Sequence, residues 1–296
     1  MDISSRPRRS ALYLPGNNVR ALEKGKILPA DVLILDLEDA VGIDDKVVSR
    51  ERVCNAVASG VYAPREVVVR VNGLGSAWHD DDIAAVALSG ADGVLVPKVE
   101  SPEQVYELSD ALDDAGAPSN LKLWVMVETP GAFLRAENIA SASERLAVLV
   151  IGTNDLVNDL HALHRPGRAP ILTALSLAVL GARAAGKVIL DGVFNSIKDD
   201  AGFVAEAFQG REMGFDGKTV IHPTQISGAN DVFGPSQDEV VYARKVVAAF
   251  RQAEDAGESV IALDGTMIES MHVRDAHRIL GLDSRIAELS AAAPVQ

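Results

Sequence analysis

Charged and amide side chains stand where short apolar runs end. Asp36, Glu38 and Asp39 close VLILDLED, Arg70 and Asn72 close EVVVRVN, and Lys98 follows GVLVP. Glu128 follows LKLWVMV, Asn154 and Asp155 follow LAVLVI, Asp191 follows VIL, and His222 follows TVI. Glu128 and Asp155, with no His or Cys beside them, form a hard oxygen pair of the kind Mg²⁺ uses while keeping waters and substrate oxygens in its shell. Two solvated acids would read the same way. Arg70 offers a guanidinium fork that grips a carboxylate or steadies an oxyanion, which Lys does not copy. An ordinary ion pair to Glu38 or Asp39 is the alternative. Lys98 either neutralises the acids around it or pairs with one of them.

These residues need a frame that brings run ends together. The eight apolar runs are 10–15, 32–37, 66–71, 93–97, 121–127, 146–151, 188–190 and 219–222, with helical periodicity between them. Examples of the latter are 47–59, 102–115 behind a Ser101 cap with Pro102 in the first turn, and 201–214. Strands apolar throughout and alternating with helices pair in parallel through right-handed crossovers. Eight of them predict a (β/α)₈ TIM barrel, whose strand ends meet on one rim where active sites sit. An open dinucleotide-binding sheet is disfavoured, because Gly73 and Gly75 are followed by Trp78 where a third Gly belongs. The barrel is expected over 1–234. A C-terminal helix and lid extension follows over 235–296, with a helix at 236–256 and a tail through 260–280.

The chain has 296 residues, 48% hydrophobic and only 4% aromatic, with a net charge of −14. A negative surplus of this size argues against nucleic acid or anionic membrane as a general partner. One cysteine, Cys54, excludes an intrachain disulfide and a cysteine zinc cluster. It falls in a helical run and reads as packed rather than nucleophilic. No secretory signal or membrane span is expected, so the cytoplasm is the natural compartment. Residues 1–26 oppose the overall charge at +4, with Arg6, Arg8, Arg9, Arg20, Lys24 and Lys26 against Asp2 and Glu23. The 15–18 loop, just before a helix, would add its amides to an anion site there; a solvated basic helix face is the alternative. His161 and His164 could share a helix face and bind metal, although a lone pair three apart is more often a solvated face, and His222 reads as part of a rim turn.

Several strings read together carry a resemblance: RSALYLPGNN, DLEDAV, VRVN, PKVES, VETPGA, GTNDL and GFDGKTVIHPTQI, in that order. The chain resembles the citrate lyase β-subunit-like proteins of the HpcH/HpaI aldolase and citrate lyase superfamily, from about Arg9 to Leu280. The resemblance implies a barrel with Mg²⁺ held by Glu128 and Asp155, and Arg70 as the substrate arginine. It places Tyr13, Arg20 and Lys24 at nucleotide and phosphate contacts of coenzyme A, and Leu190 with Asp191 along the acyl-CoA pocket. Asp36, Glu38, Asp39 and Lys98 are expected behind these, orienting Arg70 or the waters around the metal.

The implied activity is Mg²⁺-dependent carbon–carbon cleavage of a 3-hydroxy-3-carboxyacyl-CoA of the malyl-CoA, citramalyl-CoA or citryl type, giving acetyl-CoA and a 2-oxo acid. The alternatives are an acyl-CoA thioesterase or malate-synthase-like hydrolase on the same barrel, and a CoA-independent 2-oxo acid aldolase. Family members usually carry Asp after the Met-Ile pair of a lid that a neighbouring subunit of a trimer supplies as acid/base. Glu269 takes that place here, which implies a homo-oligomer. A citrate-lyase-type complex with other subunits is a further partner the resemblance allows.

Overall fold

The computed structural model describes residues 6–255 and 260–292. Asp2, counted in the N-terminal charge, and Ala256, the expected end of a helix, lie outside the described residues. The chain divides into two compact units, one spanning Arg8–Phe233 and the other containing Gly234–Ala292.

In the first unit the strands are β1 (Ser10–Pro15), β2 (Val32–Asp36), β3 (Glu66–Arg70), β4 (Gly93–Val96), β5 (Lys122–Val127), β6 (Leu146–Ile151), β7 (Val188–Asp191) and β8 (Gly217–Val220). They form a closed parallel barrel in sequence order, and β8 returns to pair with β1. The strands are buried almost throughout because helices cover the outer face while side chains fill the inside, which is why they read as continuous Val, Ile and Leu. The connecting helices start as their local chemistry dictates. Ser101 accepts from the Gln104 N–H at 3.4 Å, with Pro102 in the first turn, and opens Pro102–Asp114.

Most strand ends fall within one residue of the expected runs, and β8 departs furthest. β8 begins at Gly217 and Lys218, which pair with Leu190 and Asp191 of β7, rather than at Thr219. A lysine argues against a strand interior in sequence. Lys218 is nonetheless fully buried, its ammonium 3.0 Å from Asp191 and 2.9 Å from Glu206.

The second unit has a small core of its own. Helices Gln237–Asp255 and Ser270–Ala292 enclose Ala243, Val246, Phe250, Ile268 and Ala276. Between them lies a hairpin, β9 (Ile261–Leu263) with β10 (Thr266–Ile268). Its turn is made by Asp264 and Gly265 at φ 48° and 81°, left-handed values that glycine adopts without strain. Among the described residues no helix is long and apolar enough to cross a membrane.

Barrel closure is tightest at Gly217, where a Cβ would lie 1.8 Å from the Arg8 carbonyl oxygen. Gly217→Ala should therefore cost at least about 1–3 kcal/mol, the usual toll of overpacking. Gly281→Ala, in a helix with open space around the position, should gain about 0.5–1 kcal/mol. Urea midpoints measure both, and an unshifted Gly217→Ala midpoint would mean that β8 and β1 can part without cost.

Candidate active site

The register of β2 and β3 sets Asp36 directly beside Arg70. Their side chains meet as a fork, Arg70 Nε to Asp36 Oδ1 and Nη2 to Oδ2, both at 2.7 Å. Asp36 also accepts from the backbone N–H groups of Glu38 at 2.9 Å and Ala40 at 3.1 Å, so it shapes the loop after β2 as well. The remaining arginine nitrogen, Nη1, lies 2.8 Å from Glu38 Oε2 and 3.5 Å from Asp39 Oδ2. Tyr13, on β1, lies under the guanidinium, 4.9 Å from ring centroid to Cζ. Burial by itself would weaken the Arg70 charge, but Asp36, with Tyr13 and Glu38 behind it, holds the pKa well above the ordinary value. Burial likewise pushes the Tyr13 phenol far up, so it stays protonated.

Glu128 follows β5 and is 1% exposed. Its Oε1 accepts the Lys98 backbone N–H at 2.7 Å, and Lys98 holds a left-handed φ of 55° in doing so. Gly152, at the end of β6, leaves room for it: a Cβ there would come within 2.4 Å of Glu128 Oε2. Asp155 lies in the first turn of the next helix, Thr153–Asp159. Burial, then the charge of Asp155, pushes Glu128 up to about 8. Burial, tempered by Arg70 and reinforced by Asp39 and Asp36, pushes Glu38 up to about 7. Partial burial works against the exposed Lys98 ammonium, yet Asp155, Glu38, Glu128 and Asp39 outweigh it and raise its pKa.

The structure thus gathers Tyr13, Asp36, Glu38, Asp39, Arg70, Lys98, Glu128 and Asp155 on one rim. A buried carboxylate facing a second one resists ionising unless a cation arrives, so the pair fits a divalent ion. Among the described residues no group of three or more His, Cys, Asp or Glu is placed to hold a metal. Two protein carboxylates, with waters or substrate filling the remaining positions, match the habit of Mg²⁺.

Other expected residues lie elsewhere. Leu190 and Asp191 are fully buried, so neither offers a surface to an acyl chain. Asp191 instead takes Arg168 Nη1 at 2.6 Å and Lys218 inside the barrel wall. The N-terminal charges do not form one patch either. Arg8 pairs with Glu66, Arg9 with Asp31 and Lys26 with Glu23, which leaves Arg20 and Lys24 exposed on the helix Val19–Gly25. In the preceding loop two amides are already occupied, Gly16 N–H by Asp36 O and Asn18 N–H by Pro15 O, and Asn18 Oδ1 accepts the Ala21 N–H. His161 has a left-handed φ of 51° beyond the end of its helix, so it shares no helical face with His164. His222 Nδ1 pairs with Thr224 in a turn. Burial raises the Cys54 thiol to about 11, which keeps it protonated. Glu269 lies in the second unit, where its backbone N–H donates to His272 Nδ1 at 3.0 Å.

Sequence reasoning passed over a buried polar set behind the rim: Lys46, His79 and Asp82, joined through Asn72, with Arg50 bound to Asp82. Polar residues on helical segments read as solvent-facing, and only their common approach to Asn72 gives them a role. A cleft of about 420 Å³ opens beside the rim, bordered by Thr153, Val157, His164, Arg168, Phe194 and Glu206. It shares the helix that carries Asp155, but its lining includes neither Glu128 nor Arg70.

Comparison with known proteins places this arrangement among relatives. Residues 9–223 match the family described as HpcH/HpaI aldolase/citrate lyase. A (3S)-malyl-CoA thioesterase from Cereibacter sphaeroides is 44% identical over 286 residues, 97% of this chain and 98% of the relative. Citrate lyase subunit beta from Escherichia coli is 35% identical, covering 93% of each chain. Among solved structures, CitE from Mycobacterium tuberculosis in complex with magnesium, acetoacetate and coenzyme A is similar. It superposes with a TM-score of 0.70 at 30% identity, over 94% of this chain and 99% of that one.

The raised Glu128 pKa makes a prediction for the metal-free protein. A carboxyl that holds its proton more tightly when folded stabilises the fold below its unfolded pKa of 4.5, and that contribution is lost as pH rises through about 8. Glu38 adds to the same loss with its value near 7. In EDTA, stability should fall between pH 5 and pH 8, and Glu128→Gln should flatten that fall by about 1 kcal/mol or more. Parallel pH profiles for parent and variant in urea titrations would show that Glu128 ionises without penalty.

Proposed function

The chain belongs to the HpcH/HpaI aldolase/citrate lyase family, and from that premise we propose that it hydrolyses the thioester of a malyl-CoA-type 3-hydroxy-3-carboxyacyl-CoA with the help of Mg²⁺. The carrying observation is the rim itself, where a buried Arg70 fork stands beside Glu128, whose charge is opposed by burial and by the nearby Asp155. The 44% identity to a (3S)-malyl-CoA thioesterase over nearly the full chain supports hydrolysis as the outcome.

Glu128 and Asp155 would hold the ion. Bound there, Mg²⁺ supplies Lewis-acid stabilisation of negative charge on substrate oxygens. Arg70, braced by Asp36, presents its Nη1 edge towards the same charge, while Tyr13 keeps a protonated phenol beneath it. Glu38, poised near neutrality, can hold or release a proton at Oε2 next to Arg70. In hydrolysis, water adds to the thioester carbonyl, the carbon–sulfur bond breaks, and the free acid leaves with CoA as thiol. A second reading, carbon–carbon cleavage, is favoured by the 35% identity to citrate lyase subunit beta. There the electrons of the broken bond flow into the thioester, and protonation of the resulting enolate yields acetyl-CoA and a 2-oxo acid.

Arg20 and Lys24, exposed on one short helix, would take the CoA phosphates. Glu269 would reach the site from a second copy of the chain, in a homotrimer, as the acid/base that completes either reaction. The cytoplasm is the proposed compartment.

Product analysis separates the readings. With malyl-CoA and Mg²⁺, the protein should release free acid and CoA thiol; acetyl-CoA with a 2-oxo acid would establish the lyase instead, and neither product would end the reading. Glu128→Gln and Asp155→Asn should each lower turnover by at least about 100-fold, the scale of losing a main source of charge stabilisation. Glu269→Gln should also slow it strongly, and parental turnover in that variant would remove Glu269 from the chemistry.

Reversing both charges, Arg20→Glu with Lys24→Glu, should raise KM for the CoA ester about tenfold or more with little change in kcat, since remote contacts bind ground and transition states alike. Equal KM values for parent and variant would show that the phosphates lie elsewhere.

A further inference from the structure

Lys46 is the first residue of the helix Lys46–Ala58, where a cation opposes the helix dipole, and it is only 7% exposed. Both facts run against local preference. Its ammonium has three donors, and all three are used: Leu37 O at 2.8 Å, Glu38 O at 2.8 Å and Asn72 Oδ1 at 2.6 Å. The partners are two backbone carbonyls and an amide, not a carboxylate, so the charge serves as a node between two loops. The Trp78 ring lies 5.5 Å away on another side.

The far partner is itself held. Asn72 donates from Nδ2 to Asp82 Oδ2 at 2.6 Å and from its backbone N–H to the same oxygen at 3.0 Å. Arg50 Nε fixes the other Asp82 oxygen at 2.6 Å, and His79 Nδ1 lies 2.7 Å from the Asn72 carbonyl. With its NH₂ committed to an acid, Asn72 must aim its oxygen at Lys46. The near partner, Glu38, is thereby gripped on both sides of its backbone, N–H by Asp36 and C=O by Lys46. Its side chain then falls 2.8 Å from Arg70 Nη1.

We propose that Lys46 is a positioning residue, its ammonium tying the loop after β2 to Asn72 after β3 and so holding Glu38 against Arg70. The proposal rests on the catalytic reading of the rim given above. Lys46 does not touch the substrate; it acts through the placement of Glu38, where a displacement of roughly 1 Å can cost on the order of 100-fold in rate.

The test is a double-mutant cycle with a second readout that needs no activity. Lys46→Met keeps the side-chain length without donors, and Glu38→Gln removes the group that Lys46 positions. Lys46→Met should lower kcat at least about tenfold with KM for the CoA ester within about twofold, and in the Glu38→Gln background it should add less than about twofold more. Should Lys46→Met fail to fold, Lys46→Gln, whose amide keeps two donors, takes its place in the same cycle. Hydrogen–deuterium exchange of residues 37–40 should accelerate at least about fivefold in the Lys46 variant while the Arg8–Glu66 end of the barrel stays protected. Unchanged kcat, equal effects in both backgrounds, or unaltered exchange of that segment would overturn the proposal. A parent inactive on every CoA ester would defeat the functional reading instead, and the exchange measurement would still decide the role of Lys46.

Discussion

Everything on the rim is arranged around one buried ion pair, Arg70 with Asp36. Two charges taken out of water stabilise a protein only when geometry and further hydrogen bonds compensate for lost hydration. Here the compensation is complete on the acid side, since Asp36 accepts four donors, two from Arg70 and two from the loop that follows it. The arginine side is left with one nitrogen to spare. That asymmetry points Nη1 towards Glu38 and outwards to the rim, where an anionic substrate would meet it. The pair exists because β2 and β3 lie in parallel with Asp36 and Arg70 in register; a slip of one residue would put the two side chains on opposite faces of the sheet.

Around that pair the rim carries more acid than base. Asp39, Glu38, Glu128 and Asp155 face Arg70 and Lys98, with Asp36 already spent on the arginine. The consequence appears in the upward shifts of Glu38 and Glu128, each caused first by burial and then by neighbouring acids. A site built this way is under electrostatic tension that a divalent cation would relieve, so binding of such an ion and protonation of Glu128 would oppose each other. The positive φ of Lys98 belongs to the same balance, because only that backbone turn aims an N–H at Glu128. Such strain is retained where surrounding contacts demand it.

The family resemblance and the geometry meet at the level of a CoA-ester enzyme, while the choice between breaking a carbon–sulfur and a carbon–carbon bond lies beyond the rim. Both reactions place negative charge on oxygens that the same groups stabilise. They differ in where a proton or a water must stand. In the reading proposed above, that difference falls to Glu269 at the head of the last helix, supplied by a second copy of the chain.

The sequence by itself determined the barrel and most of the rim. Strands covered on both faces must be apolar from end to end, so each run stood out, and a charged residue stood out in turn wherever a run stopped: Asp36, Arg70, Lys98, Glu128. Helix starts such as Ser101–Pro102 were equally legible, because capping is a matter of neighbouring residues. Tertiary structure alone decided the rest. Lys46, Asp82 and Arg168 are polar residues on helical or loop segments, where the same letters ordinarily face water, and only folding brings them to Asn72 and Asp191. Asp191 ended a run and looked like a rim residue, yet it is enclosed because Arg168 and Lys218 converge on it from segments 23 and 27 residues away in sequence. The N-terminal charges looked like one patch, but Arg8 and Arg9 precede β1 and Arg20 and Lys24 follow it, and a strand carries its two ends to opposite faces of the barrel. Local pattern records what a residue's neighbours in the chain require; a buried charge is permitted by partners distant in the chain, and those exist only once the barrel has closed.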